Sequence, residues 1–316
     1  MLIKSIQNKG GSVSPEKRAT IVASSVATVL TIVKFTIGVA SGSVAVLASA
    51  IDSLLDTLIS IFNFFAIKKS EEKADENFHY GKGKVQAIAA VIEGTVITIS
   101  GLYIIYEAIQ KAIHGSETEL LTPAIFVMIL SIIVTFGLVQ YLLIVAKKTD
   151  NLVIKSDALH YQTDLWSNGV ILLALGIVSY TGWEIVDAIF GFGIGVYIIY
   201  SAYEIIKEGI LILLDRALDR ELVVKIENII DTHKEVNGFH WLKTRTDGST
   251  NFLEFHLVLQ PNLYLIEAHR ISDEIEEKIV ALEPSKRWII TPHYDPFDDQ
   301  DINNCMATGK VYCQKK

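Results

Sequence analysis

The sequence has 316 residues, 50% of them hydrophobic, with a mean hydropathy of +0.37 and a formal net charge of −8 at pH 7. It has no basic block and no interleaving of basic and aromatic residues, which excludes a typical nucleic-acid-binding surface. The long apolar runs all lie before about residue 214, and a charged, mixed segment follows. This distribution predicts a membrane domain of about 210 residues and a soluble domain of about 100.

Six apolar runs follow a polar lead, and each is long enough to cross a bilayer as a helix. We expect these spans at about residues 19–40, 44–67, 85–109, 121–146, 154–178 and 184–206. A soluble bundle of buried helices is the alternative, and the regular alternation of charge in the loops argues against it. The lead has no cleavage site before an apolar core, so we expect a cytosolic segment and not a signal peptide.

Basic residues sort the loops between these spans. Segment 68–84 has five lysines, and Lys147, Lys148 and Lys155 flank the fourth loop, whereas the other three loops have neither Lys nor Arg. By the positive-inside rule, both termini are predicted to be cytoplasmic, in a multi-pass protein of the cell (inner) membrane. Lys34, late in the first span, is expected to extend its ammonium group to the outer surface.

The charged C-terminal third predicts helix–strand–strand–helix–strand, a small α+β domain. The strands are FHWLKTRT, NFLEFHLVLQ and RWIITPHYDP, with the turn DGS between the first two. Alternation in the second strand separates Glu254 and His256 from an apolar face of Leu253, Phe255, Leu257 and Leu259. The predicted segments are a lead (1–18), a membrane domain (19–209), a soluble domain (210–297) and a poorly ordered tail (298–316), which contains Cys305 and Cys313.

Two pairs of ionisable residues interrupt the apolar runs. Asp52 and Asp56 are four apart in span two, as are His160 and Asp164 in span five, so each pair shares one face of its helix. The two spans run in opposite directions, which allows the pairs to meet near the middle of the bilayer. Each aspartate there costs about 3 kcal/mol, and one imidazole cannot balance three carboxylates.

A divalent cation offsets this cost, because three oxygens and one imidazole nitrogen provide a tetrahedral shell. Imidazole favours zinc, iron(II), cobalt or cadmium over magnesium or calcium. Histidine also titrates near neutral pH, so protons and metal can compete for the same groups. The alternative for such residues is a hydrogen bond between helices or a position in a water-filled cavity, and this non-functional interpretation is preferred for the single acids Glu93 and Asp187.

Five motifs carry a resemblance to a known family: GSVAVLASAIDSLLD, FHYGKGK, SDALHYQTDLWSNG, LLLDRAL and RWIITPHYDP. From about residue 15 to residue 297 the sequence resembles the cation diffusion facilitators, and among them the bacterial members that export zinc and ferrous iron. The resemblance implies a homodimer of six-helix protomers, each with a cytoplasmic metallochaperone-like α+β domain. It also implies export of divalent metal in exchange for protons, with no enzymatic activity.

The resemblance assigns roles to particular residues. The transport site is expected at Asp52, Asp56, His160 and Asp164, a set that resembles members moving zinc, iron(II) and cadmium. A binuclear zinc site at the cytoplasmic dimer interface is expected at His240, His256, His269, His293 and Asp295. Lys84 and Asp215 resemble a charge pair that links the two domains.

The loop between spans two and three departs from the family pattern. It keeps Asp75, but its histidine, His79, is shifted by one position, and Lys82 replaces the second histidine. A third metal site at Asp75 and His79 is therefore only weakly supported, because Lys82 repels a cation. His233 has no counterpart in the family and is expected on the surface.

Zinc is the expected transported and regulatory ion, and iron(II), cadmium and cobalt are further candidate substrates. A passive divalent-cation channel is the main alternative function, since it would use the same acidic residues without needing a pH gradient. A membrane metalloprotease is disfavoured because no HExxH motif is present. A metal sensor is disfavoured because no output module follows residue 297.

Overall fold

A computed structural model of the protein describes residues 14–41, 44–114, 122–181 and 185–298. The chain divides into two compact units, with the boundary between Leu213 and Leu214. Most of the predicted N-terminal lead, and the tail with Cys305 and Cys313, lie outside the described residues.

The first unit consists of long helices, and each overlaps one of the six predicted apolar runs. Their bounds are α1 Pro15–Ser41, α2 Val44–Ser70, α3 Val85–His114, α4 Thr122–Thr149, α5 Leu152–Thr181 and α6 Ile185–Leu213. By length and composition, five of the described helices can cross a membrane, and α5, whose first half is polar, is not among them. The predicted six-helix architecture is confirmed.

Close backbone contact holds α3 against α6. A Cβ atom added to Gly195 of α6 would lie 2.5 Å from Ile105 Cγ1 and 3.0 Å from the Gly101 carbonyl oxygen of α3. Small residues of this kind let helices approach within a membrane, where no hydrophobic force between helices drives association. On the outside of the unit, large apolar side chains such as Phe35 and Ile133 are exposed, as a lipid-facing surface requires.

The prediction for Lys34 is wrong. Its side chain is buried, and its Nζ donates a hydrogen bond of 2.7 Å to Ser53 Oγ of α2. A long side chain extends to the membrane surface only when no polar partner is within reach inside the bundle. Here Ser53 provides that partner.

The second unit is a three-stranded sheet with two helices, and the predicted αββαβ order is confirmed. Its elements are α7 Arg220–Asp231, β1 Gly238–Thr246, β2 Thr250–Val258, α8 Leu265–Val280 and β3 Arg287–Asp295. The sheet has the order β1-β2-β3, with β1 antiparallel and β3 parallel to β2. The predicted alternation in β2 is also confirmed, because Leu253, Phe255 and Leu257 are buried in the core with side chains of α7 and α8.

The register of the sheet places three histidines in one row. His240 of β1 is paired with His256 of β2, and His256 is paired with His293 of β3. The β1–β2 register shifts between His240 and Lys243, where β1 has one extra residue. Trp241 lies within this bulge and has a φ of 55°, a left-handed conformation that is uncommon for a bulky residue.

His233, expected on the surface, is buried just after the C-terminal end of α7. Its Nε2 lies 3.3 Å from Glu274 Oε2 of α8. Arg270 donates hydrogen bonds of 2.7 Å to both Glu274 and Glu235, and the bond from Arg270 is the main reason that the pKa of Glu274 is lowered from its ordinary value. This contact between α7 and α8 explains the burial of His233.

Candidate functional site

The predicted meeting of spans two and five is observed at Asp56 and His160. Asp56 Oδ1 of α2 lies 3.0 Å from His160 Nε2 of α5, within hydrogen-bonding distance. Asp164, one turn further along α5, places Oδ2 4.0 Å from the same nitrogen. We refer to Asp56, His160 and Asp164 as the membrane cluster.

The membrane cluster has the dimensions of a metal site. One ligand atom from each residue lies within 4.8 Å of the others. A tetrahedral zinc ion with bonds of about 2.0–2.2 Å holds its ligand atoms roughly 3.3–3.6 Å apart, and the observed separations of 3.0 and 4.0 Å lie on either side of this range. Small side-chain adjustments are therefore enough to bind an ion of this size.

Two further acidic residues of the apolar runs belong to α2 and α6. Asp52 belongs to α2, four residues before Asp56, but its side chain is outside the described part of the chain. The side chain of Asp187, near the start of α6, is likewise outside it. The place of Asp52 in the transport site remains a prediction from helical spacing.

Further polar groups continue from the membrane cluster along α2 and α5. Ser60 Oγ and Tyr161 Oη lie 2.7 Å apart, and beyond them Asn63 contacts two buried carboxylates, Glu93 and Asp157. Glu93 was predicted to be a single structural acid, and Asp157 was not among the predicted site residues. The available signal was spacing, because Asp157 precedes His160 by three residues and Asp164 by seven, which puts all three on one helical face.

A second cluster lies on the three-stranded sheet, along its row of histidines. The Asp295 carboxylate contacts all three: Oδ2 lies 2.8 Å from His256 Nδ1 and 3.4 Å from His240 Nε2, while Oδ1 lies 3.3 Å from His293 Nε2. We refer to His240, His256, His293 and Asp295 as the sheet cluster. The side chains of His240 and Asp295 are almost fully buried, whereas that of His293 is 66% exposed, so the cluster opens at β3.

The sheet cluster also fits a transition metal. His240, His256 and Asp295 each offer a ligand atom within 4.8 Å of the others. Two imidazoles and one carboxylate form a donor set that suits zinc, with a coordination position left open. His269, the fifth predicted ligand, is on α8, where its Nε2 lies 3.9 Å from Asp273 Oδ2. Its role in a shared site remains a prediction.

The loop between α2 and α3 holds Asp75 in an ion pair. Lys82 Nζ lies 2.7 Å from Asp75 Oδ2 and 2.9 Å from Glu72 Oε2, and the backbone amides of Asn77 and Phe78 donate to Asp75 Oδ1. The hydrogen bond from Lys82, followed by that from Asn77, lowers the pKa of Asp75. A metal would have to displace Lys82, so the geometry adds no support to the loop site, which stays a prediction.

The predicted partners Lys84 and Asp215 belong to different units, and each has contacts within its own. Lys84 Nζ donates to the Leu213 carbonyl at 3.2 Å, and Asp215 Oδ1 accepts from Arg245 at 3.4 Å. The charge pair between the two residues remains a prediction.

Comparisons with known proteins agree with this architecture. Residues 20–214 match the family model described as the cation efflux transmembrane domain, and residues 218–297 match that of the cation efflux protein, cytoplasmic domain. The cation-efflux pump FieF of Shigella boydii serotype 18 is 38% identical over 281 residues, which are 88% of this chain and 92% of the relative. FieF of Klebsiella pneumoniae subsp. pneumoniae is 36% identical over 279 residues, with the same coverage.

A solved structure, "Mode of Action of a Putative Zinc Transporter CzrB", is 32% identical over 25% of this chain and 98% of the other chain, with a TM-score of 0.23.

The long helices and the two matched domains define a multi-pass membrane transporter of cations, not an enzyme. The chain belongs to the cation diffusion facilitator family, and the predicted resemblance is confirmed. Its substrates are divalent metal ions, for which the two clusters offer candidate sites. The match of residues 218–297 also identifies the cytoplasmic domain through which members of this family associate.

Proposed function

We propose that this protein exports divalent transition-metal ions from the cytoplasm in exchange for protons, with zinc as the main substrate. Iron(II), cadmium and cobalt are the other substrates that a site with three carboxylates and one imidazole favours. The transport site consists of Asp52, Asp56, His160 and Asp164. The observation that carries this proposal is the contact of Asp56 with His160 between α2 and α5.

Protons compete with metal because the imidazole of His160 must be neutral to bind the ion. An ion that leaves the site exposes its carboxylates to each other, and protonation of His160 then compensates their charge. Metal affinity at this site should therefore fall as the pH is lowered from about 7.5 to 5.5, the range in which histidine titrates. A flat affinity over this range would contradict the exchange mechanism.

Both termini are proposed to lie in the cytoplasm, with the protein in the cell (inner) membrane. Lysines at the C-terminal ends of α2 and α4 support this orientation. The cytoplasmic domain is proposed to form a homodimer that binds regulatory zinc at the sheet cluster, with His269 as an additional ligand. The exposed side chain of His293 on β3 is accessible to the second protomer.

A passive divalent-cation channel is the second candidate, and flux measurements separate the two. Purified protein in liposomes would be tested with zinc, iron(II), manganese and cadmium, with and without a pH gradient. We expect a pH gradient to accelerate metal flux and metal flux to move protons in the opposite direction. Metal flux without any proton movement would refute the exchanger and favour the channel.

A further inference from the structure

The cluster of Asn63, Glu93 and Asp157 joins three helices of the first unit. One amide nitrogen, Asn63 Nδ2 of α2, donates to Glu93 Oε2 of α3 at 3.0 Å and to Asp157 Oδ1 of α5 at 3.3 Å. Asn63 and Asp157 are fully buried, and Glu93 is 2% exposed. Two carboxylates are thus drawn together around one neutral side chain.

Three oxygens of this cluster lack a hydrogen-bond partner among the described residues: Asn63 Oδ1, Glu93 Oε1 and Asp157 Oδ2. The Ser156 hydroxyl lies beside the Glu93 carboxyl, but the two form no hydrogen bond of ordinary geometry. All three oxygens are acceptors, so they need a donor or a cation. An unpaired acceptor at this depth is unfavourable, and more so when it is charged.

The cluster lies in line with the membrane cluster. Along α2, Asp56, Ser60 and Asn63 follow at spacings of four and three, which is one face of a helix. On α5, Asp157 precedes His160 by one turn. In both helices the cluster lies between the membrane cluster and the helix end with lysines, which the proposed orientation makes the cytoplasmic end.

We propose that Asn63, Glu93 and Asp157 form an oxygen-only binding site for a divalent cation, which the ion occupies between the cytoplasm and the membrane cluster. This inference rests on the proposed function for its direction. When the ion binds, the Asn63 amide rotates, so that Oδ1 replaces Nδ2 between the two carboxylates. In the ion-free protein, the amide N–H group, with its partial positive charge, lies between the two carboxylates where the cation binds.

The ligand chemistry gives the site a preference of its own. Carboxylate and amide oxygens favour harder ions such as manganese(II), whereas the nitrogen of His160 favours zinc and iron(II). An ion such as zinc or iron(II) would therefore gain affinity on passing to the membrane cluster. Manganese(II) would gain less, which makes it a suitable probe for the oxygen-only site.

The test measures manganese(II) binding to the full-length protein in detergent by electron paramagnetic resonance. The background variant carries His160→Ala, Asp164→Ala and Asp295→Ala, which disable the membrane and sheet clusters. We expect one manganese(II) ion per protomer in this background, with affinity reduced at least about 100-fold by Glu93→Gln, since even residues that only orient a ligand contribute 10–100-fold. Glu107→Gln, the same change at a partly exposed site on α3, is the control and should bind as the background does.

Two outcomes overturn the proposal. In the first, the background variant binds no manganese(II), which would indicate that the carboxylates hold protons instead. In the second, the background variant binds manganese(II), but Glu93→Gln leaves its affinity unchanged. If Glu93→Gln does not fold, Asn63→Asp decides, because affinity for a hard cation rises with the charge of its ligands and a third carboxylate should tighten binding at least about 10-fold. Unchanged binding refutes the site. Binding is measured without transport, so a protein that binds manganese(II) here but moves no metal refutes the proposed function alone.

Discussion

Replacing Asp295 with Asn should remove the response of the cytoplasmic domain to zinc. Asp295 is the one residue of the sheet cluster whose side chain contacts all three histidines, at 2.8–3.4 Å. Asn has nearly the same shape, so packing against β2 should be kept. The substitution removes the negative charge. It also directs an NH₂ group toward imidazole nitrogens whose lone pairs are needed to bind the metal.

The size of the effect follows from mass action. A site that binds zinc in the dimer only, at a zinc concentration 100 times its dissociation constant, stabilises the dimer by about 2.7 kcal/mol. A symmetric dimer has the site twice, which gives about 5.4 kcal/mol, or roughly 10⁴-fold in the dimer dissociation constant. We expect Asp295→Asn to eliminate this gain and return the dissociation constant to its zinc-free value.

Sedimentation velocity of the domain, about residues 210–316, measures this directly. The domain has its own hydrophobic core of α7, α8 and sheet residues, which supports its use in isolation. Wild type, Asp295→Asn and the control Asp231→Asn, an exposed site at the end of α7, would each be run with zinc and with a chelator. Equal zinc responses of Asp295→Asn and wild type would refute the assignment of Asp295. A wild-type domain that associates equally with and without zinc would refute the regulatory site as a whole.

Three further predictions concern single side chains. Asp56→Ala and Asp164→Ala should each abolish metal flux in liposomes while the protein still inserts and dimerises, and full flux in either variant would contradict the transport site. His160→Asp, which makes the site all-carboxylate, should improve manganese transport relative to zinc in competition assays; an unchanged ratio would mean that His160 does not select the ion. Glu276→Gln should stabilise the cytoplasmic domain at pH 7 by a few tenths of a kcal/mol, because burial raises the pKa of Glu276 and so penalises its charged form. That gain should disappear as the pH falls below about 4.5, where the carboxyl is protonated in both the folded and the unfolded state. If thermal unfolding shows the same gain at pH 7 and below about pH 4.5, burial of the Glu276 charge is not its cause.

Much of the fold was predictable because its signals are local. The period of two in β2 assigned Phe255 and His256 to opposite faces, and the turn at Asp247–Ser249 fixed the hairpin, with Asp247 Oδ1 accepting from the Ser249 and Thr250 amides. Each apolar run likewise carried enough hydrophobic residues to define a helix by itself. Such patterns need no knowledge of what packs against the element.

The predictions that were wrong or incomplete all concern side chains whose contact partners lie on other helices. Lys34 is buried because Ser53 on α2 accepts its hydrogen bond, and His233 is buried because Glu274 on α8 lies beside it. The bridge that Asn63 makes between Asp157 and Glu93 depends on how α2, α3 and α5 pack together, for which no single helix carries a local signal. The spacing of Asp56 and His160 predicted their facing sides, but only the packing of α2 against α5 brings Oδ1 and Nε2 to 3.0 Å.

The bulge at Trp241 decides which side of the sheet His240 belongs to. From the turn, β1 pairs Lys243 with Glu254, so an unbroken ladder would continue with Trp241 opposite His256 and His240 opposite Leu257. His240 would then point into the apolar core, and the row on the polar face would consist of two histidines. One additional residue reverses the parity of the strand and returns His240 to the polar face. The presence of a third imidazole in the row therefore depends on the number of residues between His240 and Lys243 as much as on the identity of residue 240.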